Sequence, residues 1–68
     1  MKTFTPAQFK KAQADLGLTE EQVARLFLVD IFVVFNWRSG HWRVPGSVTL
    51  CLHMLLAHAD ELKKWASL

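Results

Sequence analysis

Four basic side chains fall close together near the middle of the chain: Arg25, Arg38, His41 and Arg43. With Asn36 among them, they suit the holding of a phosphate backbone and the reading of a base. Cationic side chains neutralise phosphates and release counterions. An asparagine carboxamide pairs with adenine in the major groove. Trp42, between His41 and Arg43, suits stacking on a sugar or base edge, or covering the core. Taken singly, each cation also reads as a solvated surface charge. Lys10, Lys11, Lys63 and Lys64 read only in that way.

Other chemistries find little support. The chain lacks paired carboxylates, a nucleophile beside a base, and a glycine loop for phosphate, so no enzyme is expected. His41, His53 and His58 are not read as acting with a carboxylate in catalysis. His53 and His58 lie five apart, a poor helical pair, and structural zinc takes four ligands, so neither metal nor cofactor is expected. Cys51 is the only cysteine, which excludes an internal disulfide and fits a reducing, cytoplasmic setting. Its apolar neighbours mark it as a core residue.

The chain has 68 residues, enough for one domain spanning residues 1–68. A domain this short is marginal alone and often leans on a partner. Net charge is +2, a weak lean toward polyanions. The hydrophobic share of 51% exceeds what one small core readily absorbs, which favours an oligomer or a binding surface. No apolar h-region follows Lys2, so no signal peptide is read. The most apolar run, Leu26 to Phe35, is ten residues long and too short to span a bilayer. No membrane association is expected.

Punctuation divides the chain into four or five short helices, an all-α bundle. Thr5-Pro6 starts the first, with Phe9, Ala12 and Leu16 on one face and Gly17 as its stop. Thr19 and Gln22 form a capping box for the second, with Val23, Ala24, Leu26 and Phe27 inward. Asp30 caps a third, which ends at Gly40. Ser47 caps a fourth running to about residue 58, and Asp60 caps a final turn over 60–66. Residues 26–35 also read as a buried strand, since Ile31 to Phe35 are β-branched or aromatic. Against that, no pairing partner for such a strand is evident.

Leu16-Gly17-Leu18-Thr19, Ala24, Val29-Asp30, Trp37-Arg38-Ser39-Gly40 and Val44-Pro45 together resemble the helix-turn-helix of the phage-repressor and Cro family. The resemblance covers about residues 5–57, with the motif at about 19–40. It implies a lambda-repressor-like bundle whose third helix enters the major groove, acting as a dimeric repressor of phage or mobile-element type. It places Ala24 at the helix crossing, where a small side chain lets two backbones approach.

The departures are equally specific. Leu28 stands where the family has a turn glycine. Gln13 and Arg38 stand where it pairs an arginine with a glutamate. Glu20 stands where a glutamine binds phosphate. The base-reading positions hold Ile31, Phe32 and Asn36; the first two suit thymine methyl groups rather than hydrogen bonds.

Ile31, Phe32 and Phe35 make the third helix apolar all round. Left exposed, each would cost roughly 1.5–3 kcal/mol relative to burial. Three covers are open: a second copy or a protein partner, the C-terminal residues Leu62, Trp65 and Leu68, or DNA itself. The fourth helix is also apolar on more than one side. Leu50 and Met54, with Phe35 and Trp65, are therefore candidates for a two-fold dimer or partner interface, unless the last turn covers them. A protein-interaction module that keeps the helix-turn-helix fold is the alternative reading.

Overall fold

Thr5 and Thr19 each begin a helix by the same device. Each threonine Oγ1 accepts from the backbone N–H of the glutamine three residues on, at 3.2 Å for both Gln8 and Gln22. Each glutamine Oε1 accepts in return from the threonine N–H, at 2.9 and 2.8 Å. The helices so started are α1 (Pro6–Leu16) and α2 (Glu20–Phe27). Asp30 starts α3 (Ile31–Ser39), its Oδ1 accepting from the Phe32 N–H at 2.9 Å. α4 (Gly46–Ala66) completes the fold. The computed structural model describes the backbone of residues 2–66 and the side chains of residues 2–59.

Left-handed residues end the first three helices: Gly17 at φ 68°, Leu28 at φ 55° and Gly40 at φ 85°. At Gly40 a second reason for glycine exists. A Cβ there would lie 3.2 Å from Cγ of Pro6, so the start of α1 closes against the end of α3.

The core gathers Phe9 and Ala12 from α1, Val23 and Ala24 from α2, Val34 and Trp37 from α3, Val44 from the loop, and Val48 and Leu52 from α4. Trp37 sits among aromatic edges, its ring 5.8 Å from that of Phe9 and 6.2 Å from that of Phe27. α3 packs on α1 and α2, and α4 packs on α1. Leu26, read as inward, is exposed instead, because it lies off the stripe formed by Val23, Ala24 and Phe27.

The strand alternative for residues 26–35 is not met, and two further expectations change. Those residues are the end of α2, a turn and α3, as the Asp30 cap implied, and no strand occurs among the described residues. The cap at Asp30 and the burial of Val34 and Trp37 outweigh the β-branched composition. α4 starts at Gly46 rather than after Ser47, the Pro45 carbonyl accepting from the Thr49 N–H at 3.0 Å. It then runs unbroken to Ala66, so Asp60 caps no separate turn and the described residues form four helices rather than five. No glycine or proline occurs from Ser47 to Trp65 to stop it.

Thr49 ties the N-terminal segment to α4. It is fully buried, and its Oγ1 accepts from the Phe4 N–H at 3.0 Å. The Phe4 ring lies tilted on His53, 4.7 Å between centroids. No helix among the described residues is long and apolar enough to cross a membrane.

Candidate nucleic-acid interface

The site is built on α2, the turn Leu28-Val29-Asp30, and α3. Ala24 is buried on α2, and the Val29 N–H donates to its carbonyl at 3.0 Å. Leu28 adopts φ 55° and ψ 44°, the conformation a glycine takes without steric cost. Its side chain is 92% exposed. Leu18 and Val29 pack partly buried against the core on either side of α2.

α3 buries Val34 and Trp37 and half-buries Ile31, Val33, Asn36 and Arg38. Helical spacing puts residues 32, 35, 36 and 39 on one face. Phe32 is 72% exposed there and Phe35 49%. Asn36 flanks them, its Nδ2 donating to the Phe32 carbonyl at 2.8 Å, so its carboxamide lies against its own helix. Ser39 ends the face, its Oγ 2.8 Å from Nδ1 of His41. The Asn36 carbonyl also accepts from the Trp42 N–H at 3.2 Å, which folds the following loop back over the last turn of α3.

The predicted cations separate into two sets. Arg38 turns back toward the other helices. Its Nη1 donates to Oε1 of Gln13, and its Nε lies 3.5 Å from Oε1 of Glu20. It is therefore engaged within the fold rather than offered with the rim. Arg25, His41 and Arg43 are exposed, and neither arginine pairs with a described acid. The carboxylate of Glu20, expected to repel phosphate, has Arg38 as its counter-charge. No Asp or Glu occurs between Asp30 and Asp60, so α3 and the following loop carry only positive side-chain charge.

Ile31 is placed differently from Phe32. It packs partly buried against the core, which leaves Phe32 and Phe35 as the apolar side chains of the outward face. Ser39 was not singled out from the sequence, although its position seven residues after Phe32 was the signal for it.

A second apolar surface lies on α4. Ser47, Leu50, Cys51, Met54, Leu55 and His58 line a shallow groove of about 360 Å³. Leu50 and Met54 are each about half exposed, while Val48, Thr49 and Leu52 bury the opposite side of the helix. Cys51 is half-buried within the groove rather than in the core. The side chains of Leu62, Trp65 and Leu68 lie outside the described residues. Among the described residues no group of three or more His, Cys, Asp or Glu is placed to hold a metal.

The chain matches no family model, no curated protein and no solved structure.

Proposed function

We propose that this chain is a small DNA-binding transcriptional regulator. In this reading α2, the turn at residues 28–30 and α3 form a helix-turn-helix, with α3 presented to the major groove. The observation that carries it is the exposed face of α3, which holds no acidic side chain after the Asp30 cap and leads at its end into a loop with the exposed His41 and Arg43. Arg25 supplies a further exposed cation from α2. Arg25, His41 and Arg43 contact phosphates, and Phe32 and Asn36 face base edges. The outer groove of α4 joins two copies through Leu50 and Met54, which would bring two such faces to two half-sites. A role as a repressor of phage or mobile-element type rests on the sequence resemblance, and a cytoplasmic setting on the single cysteine.

The test is a gel shift of the purified chain on the DNA upstream of its own coding sequence, at low and high salt. Binding that weakens steeply with salt is expected. No binding at low salt would sink the reading.

One observation favours a second reading. Phe32 and Phe35 are exposed while Arg38 is held by Gln13 and Glu20, which also suits a protein-docking surface. Replacing both phenylalanines by serine separates the two. Lost DNA affinity at unchanged size in solution supports DNA binding, and lost self-association or partner binding supports docking.

A further inference from the structure

We infer that the outward face of α3 recognises the C5-methyl groups of pyrimidines in duplex DNA, an inference that rests on the DNA-binding reading above. A base pair presents hydrogen-bonding edges in the major groove and, at thymine or 5-methylcytosine, a methyl group. The side chains on this face suit the methyl group. Phe32 stands in the first turn of α3 with most of its surface in solvent, and Phe35 lies beside it one turn on. The polar readers are restrained. Asn36 is bonded to the Phe32 carbonyl, and Arg38 to Gln13 on α1.

Charge decides the kind of partner. The face carries the Asp30 carboxylate at its head, on the Phe32 N–H, and no further acid from residue 31 to residue 59, and it ends at His41 on Ser39 with Arg43 two residues on, so its C-terminal part complements a polyanion. Apolar contact with methyl groups and cationic contact with phosphates can then be made together, as one helix lies in one groove.

The experiment measures affinity of the full chain for four named duplexes: alternating poly(dA-dT), poly(dA-dU), poly(dG-dC) and poly(dG-5-methyl-dC). The methyl-bearing member of each pair should bind more tightly, by about fourfold for each methyl group covered. Phe32→Ala should lower affinity for the methyl-bearing duplexes to that of their methyl-free partners, with the helical circular dichroism retained, since Phe32 lies outside the core. Equal affinity within both pairs, with salt-dependent binding retained, would overturn the inference and leave the DNA-binding reading standing. Absence of binding to all four at low salt would remove both. Loss of self-association in Phe32→Ala, with DNA affinity unchanged, would place a second copy on this face and overturn the inference.

Discussion

Arg38 on α3 donates through Nη1 to Oε1 of Gln13 on α1, joining two helices across 25 residues of sequence. Gln13 is itself buried, and its Nε2 donates to the Leu18 carbonyl at 3.0 Å. One glutamine thus links α1, the entry to α2 and α3. The bond is charge-assisted, with the cation on α3.

Arg38→Met should therefore lower stability by about 1–3 kcal/mol in urea denaturation, because it strands a buried amide oxygen. A double-mutant cycle of Arg38 with Gln13 should show coupling of about 1 kcal/mol that persists in high salt. The cycle with Glu20 should show less than about 1 kcal/mol and fade with salt, since that pair is wider and partly exposed.

Leu28→Gly should stabilise the protein. The left-handed backbone costs a leucine about 1–2 kcal/mol, and glycine loses about 0.5–1 kcal/mol of chain entropy in return. The net gain should raise the melting temperature by a few degrees, and the side chain removed is almost wholly in solvent. A fall in melting temperature would show that Leu28 makes a stabilising contact outside this chain.

Leu50→Glu and Met54→Glu should convert a dimer to a monomer in sedimentation at equal protein concentration. Both side chains are about half exposed on the outer side of α4, so the buried side of that helix is untouched. The dimer of the unaltered chain should not weaken with salt, because the groove is lined chiefly by apolar side chains.

Arg43→Ala should weaken binding to all duplexes alike and reduce the slope of log affinity against log salt by about 0.9, the share of one phosphate. Arg25→Ala should behave in the same way. Arg38→Ala, whose side chain is held by Gln13 and Glu20, should leave that slope unchanged in whatever fraction remains folded.

The local punctuation of the fold was legible in the sequence. Thr5, Thr19 and Asp30 start helices because their side chains answer backbone groups a few residues away. Gly17 and Gly40 stop them because they relieve a local steric conflict. The inward positions Phe9, Ala12 and Val23 followed from spacing alone. What stayed hidden depends on distant partners. The inward turn of Arg38 needs Gln13 and Glu20, and the tie of Phe4 to Thr49 spans 45 residues. The continuity of α4 past Asp60 was obscured because aspartate reads as a cap, although nothing near it breaks a helix. On the site, the apolar character of α3 was visible. The separation of half-buried Ile31 from exposed Phe32 and Phe35 needed the packing of α3 against α1 and α2.

If the outward face of α3 meets DNA, backbone amide resonances of the full chain should report it as a short A·T-rich duplex is added. Shifts should concentrate at Phe32, Phe35, Asn36, Ser39, His41 and Arg43, with Leu50 and Met54 undisturbed. Shifts confined to α1 or α4, or no shifts at low salt, would show that α3 does not meet DNA.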